Sequence, residues 1–260
     1  MNALNMRFYA ENAASFSETR AGGWPGWGRM LEELRGAGCA WADTLRAGTC
    51  SAERTFDVRI VDAACGNLRF ERWLAETLPD VAFQVSALDN CADLAGAVPA
   101  FVDFRSCDIL GALIEGDGDW RAALENAADL AVSFGFLHHV PTAPARARFA
   151  CQLLDCVRPG GFGVLTLWRF ASSGDLLTKA QATTAAGLDA LGLRTSDLDA
   201  GDYLVGWQDR PNAYRYCHSF DEADIEGLIA AVADTAQLVA RFRADGRTGD
   251  LNEYLIFQRR

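Results

Sequence analysis

The sequence predicts an α/β domain: a doubly wound, mostly parallel sheet of seven strands that closes on a C-terminal antiparallel hairpin, with an N-terminal helical segment and an inserted cap. Three observations carry that expectation. From Val58 onward, short β-rich apolar runs alternate with segments whose apolar residues recur at helical spacing, as in a parallel sheet covered by helices on both faces. Two late runs, 237–243 and 253–258, are joined by a glycine-containing turn and read as an antiparallel hairpin. At 260 residues, 50% of them hydrophobic, the chain is long enough for one sizeable core and cramped for two.

Residues 1–55 are helical in pattern and rich in tryptophan, with Trp24, Trp27 and Trp41, and are expected to form a lid or buttress. The core over 56–170 has strands at 58–63, 82–88, 101–107, 130–134 and 162–168. Helices are expected between them at 69–78, 91–98, 110–128 and 142–157. Pro159-Gly160-Gly161 predicts a tight turn into the fifth strand, because proline fixes φ and glycine permits the left-handed conformation. Over 171–220 the alternation is interrupted; small and polar residues through 213 suggest an inserted helical cap. Ser219-Phe220-Asp221-Glu222 fits a capping box for a helix over 222–233, which with the hairpin completes the segment 221–260. All four segments belong to one domain.

No run approaches the roughly 18 apolar residues of a membrane span, and the N-terminus has no secretory apolar region, so a cytoplasmic protein without membrane contact is expected. The eight cysteines have no CxxC and no zinc-like spacing, which predicts reduced, mostly buried thiols and no metal site. A net charge of −11 opposes binding to DNA or RNA unless a local basic patch exists. Arg241, Arg243, Arg247, Arg259 and Arg260 are the candidate patch, although they equally suit a solvated terminal hairpin.

The chemistry concentrates where the first strand ends, in Val61-Asp62-Ala63-Ala64-Cys65-Gly66-Asn67-Leu68-Arg69-Phe70. A small-residue turn between strand and helix brings backbone N–H groups and an acid close to a nucleotide-like ligand at the carboxyl edge of the sheet. The second strand ends in Asp89, placed to accept from the two hydroxyls of a ribose, and the third in Asp108, placed to accept from an adenine amino group. Acids also suit a sulfonium ligand, whose positive charge gains from nearby carboxylates. A dinucleotide-binding turn would instead carry GxGxxG, which sets an NAD-dependent oxidoreductase aside.

This order of segments resembles the class I S-adenosylmethionine (SAM) methyltransferases, which are Rossmann-like, over roughly residues 56–170 and the final hairpin. Their turn reads acid-x-Gly-x-Gly-x-Gly, so Ala64 and Leu68 depart from it. Leu68 is expected to narrow the turn beside the methionine moiety, and Gly66 to keep the one essential positive φ. The resemblance implies SAM as cofactor, with Asp62, Ala64 and Gly66 at its methionine portion, Asp89 at the ribose, and Asp108 with Ile109 at the adenine. Ser133 and Phe134 would face the sulfonium. A non-catalytic SAM-binding protein is the alternative that the departures suggest.

A narrower resemblance rests on Phe16-Ser17-Glu18-Thr19-Arg20, Trp24-Pro25, the Gly66–Phe70 segment, His138-His139-Val140-Pro141, Asp202-Tyr203-Leu204-Val205-Gly206-Trp207 and Arg215-Tyr216-Cys217-His218-Ser219-Phe220, in that order. These are similar to the eukaryotic tRNA wobble-uridine carboxymethyl methyltransferases, which esterify a carboxylate and work with a small activating protein partner. Gly206 and Cys217 depart from that family's usual proline and tyrosine. The acceptor stays open between such a tRNA and a small carboxylate or hydroxyl metabolite. A carboxylate needs no base, only donors; Arg215 offers a forked one, with Tyr216 or His218 as a second. Strand alternation puts Tyr216 and His218 on the face opposite Arg215. For a hydroxyl, phenol or amine, His138 or His139 could be the general base. Arg20 and Thr19, with Trp24, are candidates to close the pocket, and Trp168 and Trp207 to stack a planar acceptor.

Overall fold

Side-chain alternation along the first core strand sets the layers. In the computed structural model, which describes residues 1–18, 22–46, 56–115, 119–122, 124, 127–208 and 210–260, β1 (Phe56–Ala63) sends Val58 and Ile60 to one core and Val61 and Ala63 to the other. The first core takes Trp27, Met30, Leu31 and Leu34 from α2 (Pro25–Gly36) and Phe70 and Leu74 from α3 (Arg69–Thr77). The second takes Phe149 and Leu153 from α6 (Ala143–Asp155) and Ile225, Leu228 and Val232 from α8 (Glu222–Val232).

The sheet is completed by β2 (Val81–Asp89), β3 (Val102–Ser106), β4 (Ala128–Ser133), β5 (Val157–Trp168), β8 (Ala236–Ala244) and β9 (Asn252–Arg259), in the order β3-β2-β1-β4-β5-β9-β8. The first five strands are parallel neighbours, and β9 runs antiparallel between β5 and β8. The seven-stranded, mostly parallel sheet with its closing hairpin is therefore as the sequence predicts. Strand order reverses beside β1, so the connections leaving β1 and β4 run to opposite faces of the sheet and leave a crevice at its carboxyl edge.

Several local expectations are corrected. The helix expected at 91–98 is a single turn, α4 (Ala92–Ala95), stopped by Gly96 at φ +60° and followed by Pro99. The helix expected at 110–128 shortens to α5 (Ile109–Glu115). Pro159-Gly160-Gly161 lies within β5, where the pairing jumps from Ala128 with Val157 to Leu130 with Phe162, and Gly160 adopts φ +78° in the excursion. The cap is only half helical: α7 (Gly174–Leu191) is followed by the antiparallel pair β6 (Asp202–Gly206) and β7 (Tyr214–His218). The capping box of α8 is Asp221 with Asp224, not Ser219 with Glu222; the Ser219 hydroxyl accepts from the Ala171 N–H instead. The N-terminal α1 (Asn2–Glu18) packs against β7. Among the described residues no helix is long and apolar enough to cross a membrane.

Candidate functional site

The turn after β1 holds Ala64, Gly66 and Leu68 at φ +66°, +59° and +55°. All three glycine positions of the resembled turn are thus left-handed, not Gly66 alone, and two of them hold L residues at a steric cost of about 1–2 kcal/mol each. The N–H groups of Ala64 and Cys65 both donate to the Leu88 carbonyl, at 2.7 and 3.0 Å, tying the turn to β2. Leu68 is fully buried in the core at the start of α3 and does not crowd the cavity. Asp89 bridges the next connection, accepting from the Gly66 N–H at 2.9 Å and the Cys91 N–H at 2.8 Å.

These elements wall one end of a cavity of about 350 Å³, within the range of small-molecule and cofactor sites. Asp62, Ala64, Gly66, Asp89, Ile109 and Phe134 line it. Phe134 lies among Phe70, Trp27 and Tyr254, with ring centroids 4.8, 5.6 and 6.3 Å away. Asp108 and Ser133 are placed off the wall. Asp108 accepts from the Gly111 N–H at 2.9 Å, where it caps α5, and from the Asn2 amide of α1 at 3.0 Å. The Ser133 hydroxyl donates to the Ala63 carbonyl at 2.8 Å.

The other end is assembled from α1, the short helical turn at Leu137–His139, Trp168 and β7. Arg215 is 5% exposed, with its guanidinium carbon 5.1, 5.4 and 5.8 Å from the ring centroids of Phe8, Trp207 and Trp168. Burial works against its charge, but the Tyr9 and Cys217 side chains beside it more than offset that, and its pKa is shifted upward. The His138 and His139 rings lie 4.1 Å apart, tilted by 53°, and both line the cavity. His139 bonds through Nε2 to the Tyr9 hydroxyl at 2.7 Å and through Nδ1 to the Tyr216 carbonyl at 2.9 Å. Asn5 pins α1 to β7, accepting from the Tyr216 N–H at 2.8 Å and donating to its carbonyl at 3.3 Å. Tyr216 and His218 point the other way, both onto Asp202 at 2.7 Å, and His218 also onto Asp224 at 3.0 Å.

No protein-family model matches the chain. A protein of Encephalitozoon cuniculi, provisionally named a methyltransferase, is 25% identical over 229 residues, 88% of this chain and 84% of its own. A SAM-dependent methyltransferase of Methanosarcina mazei superposes with a TM-score of 0.56 at 16% identity, over 78% of this chain and 92% of its own. DhpI in complex with SAM and HEP gives the same TM-score at 17% identity, over 97% of this chain and 95% of its own. The fold is that of the SAM-dependent methyltransferases.

A methyltransferase cavity must accommodate a ligand that carries an ammonium and a sulfonium, and the β1 end is built for cations. Asp62 and Glu71 are 2% and 1% exposed, and Asp62 Oδ1 and both Glu71 carboxylate oxygens find no N–H or hydroxyl donor, so the bond between the two carboxyls needs a shared proton. Burial pushes both carboxyls upward, and for Asp62 the neighbouring Glu71 adds to it. A cation against Asp62 would supply the missing counter-charge. Burial also raises Asp89, against the N–H donors of Cys91, Gly66 and Asn90. Two carboxylate oxygens offer about four lone pairs, so Asp89 keeps acceptor capacity beyond these N–H donors.

Glu71 escaped the sequence reading, though it stands with Leu68, Leu74 and Leu78 on one buried stripe of α3 at spacings of three and four, where an acid is out of place. Asn5 and Tyr9 also escaped it. Of the residues proposed to close or stack the pocket, Trp24 and Trp168 line it and Trp207 lies under Arg215, while Thr19 and Arg20 fall outside the described residues. The donor atoms of His138, His139 and Cys217 lie within 4.8 Å of one another. Both nitrogens of His139 take part in hydrogen bonds, and burial pushes the Cys217 thiol up to about 11.

The basic patch dissolves on folding. Arg241 and Arg243 donate to Glu253 at 2.7 and 3.1 Å, Arg169 joins them at 2.7 Å, and Arg241 also reaches Glu222 and Glu226. Arg259 is held by the Asp155 and Val157 carbonyls, leaving Arg247 and Arg260 exposed.

Proposed function

We propose that this protein is a SAM-dependent methyltransferase that methylates an oxygen of a small, planar acceptor held as an anion against Arg215. The observation that carries this reading is the single cavity that runs from Asp62 and Asp89 to the aromatic box around Arg215. SAM supplies an electrophilic methyl group, so the protein's task is to align the two reactants and exclude water. Asp89 holds the ribose, Asp62 a positive group of the methionine portion, and Arg215 the acceptor oxyanion. Trp168, on the cavity wall, offers a face for a planar acceptor. Asn2, Asn5 and Tyr9 of α1 cover the site.

A small acceptor is favoured by the enclosure under α1, the net charge of −11 and the internal pairing of Arg241 and Arg243. The second reading, a carboxymethyl group on a tRNA wobble uridine with a small protein activator, draws on the convergence of Trp24, His138, His139 and Arg215, taken from separate motifs, on one cavity. Purified protein is incubated with methyl-labelled SAM and either bulk tRNA or a low-molecular-weight extract. Label in the small-molecule fraction alone is expected. Label in tRNA selects the second reading, and failure to bind SAM or its demethylated product in calorimetry removes both.

A further inference from the structure

The acceptor end contains a proton path that a pre-ionised carboxylate would not need. His139 Nδ1 faces the Tyr216 carbonyl at 2.9 Å and the Asn5 amide nitrogen at 3.2 Å; the shorter contact is to a group with no hydrogen to give, which favours the proton on Nδ1, and Asn5 then gives its N–H to the same carbonyl at 3.3 Å. Nε2 is then the lone-pair nitrogen, and the Tyr9 hydroxyl 2.7 Å away donates to it. Tyr9 lines the cavity, its ring meets His139 edge-on at 5.5 Å, and Arg215 lies beside its hydroxyl as well. Asn5, which bonds both backbone groups of Tyr216, fixes α1 and hence Tyr9 in this register.

We propose that Tyr9 and His139 form a relay that deprotonates a hydroxyl acceptor beside Arg215, making a phenol or similarly acidic hydroxyl the substrate class. This rests on reading the cavity as a methyl-acceptor site. The acceptor O–H gives its proton to Tyr9 Oη while Tyr9 passes its own to His139 Nε2. One proton has moved: the acceptor is an oxyanion beside the guanidinium, and His139 is an imidazolium whose Nδ1–H stays on the Tyr216 carbonyl. The oxyanion lone pair forms the new O–C bond as the C–S bonding pair returns to sulfur, and the proton leaves His139 for solvent. Among the described residues, the titratable and charged groups around His139 are Tyr9 on α1, His138 on its own turn, and Cys217 and, through Tyr9, Arg215 on β7. Cys217 stays a neutral thiol, being pushed up to about 11.

The test uses 4-nitrophenol, whose phenolate absorbs visible light, bound to the purified protein with no methyl donor present. Binding to the wild type is expected to lower the probe's apparent pKa by about one unit or more. Tyr9→Phe and His139→Gln should each remove at least half of that shift, leaving the part that Arg215 supplies, while keeping S-adenosylhomocysteine affinity. An undiminished shift in both variants, or a wild type that does not bind the probe, overturns the relay. Imidazole nitrogen NMR of the unmutated protein gives a second reading, independent of how the variants fold: His139 protonated at Nδ1 supports the relay, and at Nε2 overturns it. Retained S-adenosylhomocysteine binding without a probe shift sinks the relay and leaves the methyltransferase reading standing.

Discussion

At the β1 and β2 end, residues 62–71 and 87–91 build the cavity wall from two strand-to-helix connections, with acids whose charge burial resists. At the opposite end, Tyr9, His139, Trp168 and Arg215 arrive from four separate places in the chain, and the dominant charge is positive. The first end is prescribed by local chain geometry and suits a ligand that brings its own cations. The second depends on α1 and β7 docking correctly, and suits a ligand that is or becomes an anion. The polarity of the cavity thus orders the two reactants.

The contrast breaks most visibly at Arg215. Arg215→Met should cut kcat/KM by about 100-fold or more, the scale of losing a donor to a developing oxyanion, with S-adenosylhomocysteine affinity unchanged in calorimetry. An equal fall in cofactor affinity would mean that the two ends are not separate. Asp89→Ala attacks the other end and should weaken SAM binding by about 1–3 kcal/mol. It should leave 4-nitrophenol binding intact.

A smaller effect sharpens the acidic end. Because Glu71 and Asp62 hold their protons more tightly in the folded chain, the folded state binds more protons than the unfolded one above the ordinary carboxylate range of about 4. The ligand-free protein should therefore lose melting temperature as pH rises from there through the raised folded values, and Glu71→Gln should flatten that slope. The stabilisation by SAM should grow over the same window, since a cation favours the ionised acids. A ligand-free melting curve that instead rises with pH would contradict the buried acid pair.

The smallest expected change is at the turn. Ala64→Gly relieves the φ of +66° but adds unfolded-state freedom, so the net gain is about 1 kcal/mol or less, roughly 2–4 °C in Tm. A loss of stability would show that the left-handed turn is not strained.

The seven-stranded, mostly parallel sheet and the acids of the first three strands were legible because both follow from local pattern: apolar runs of strand length, each with a carboxylate at or just past its end. The acceptor end was legible only in pieces. Arg215, His138 and His139 stood out by residue type, and strand alternation separated Arg215 from Tyr216 and His218. The contribution of α1 did not show, because its buried stripe is Asn5, Phe8 and Asn12, two polar residues of three, so no apolar periodicity announced an inward face. Asp108 has a role that did not show for a related reason: an acid after a strand can also cap the next helix, and here it caps α5 and takes Asn2.

The placement of β9 bears on how the chain is made. The strand β9 fills an interior slot of the sheet, between β5 and β8, although it follows both in the chain. Until β9 has been made, the edge of β5 stays open and the strand apolar, a surface prone to pairing with other nascent chains. Removing β9 would reopen that edge permanently, so the sheet should tolerate substitutions along β8 far better than loss of β9.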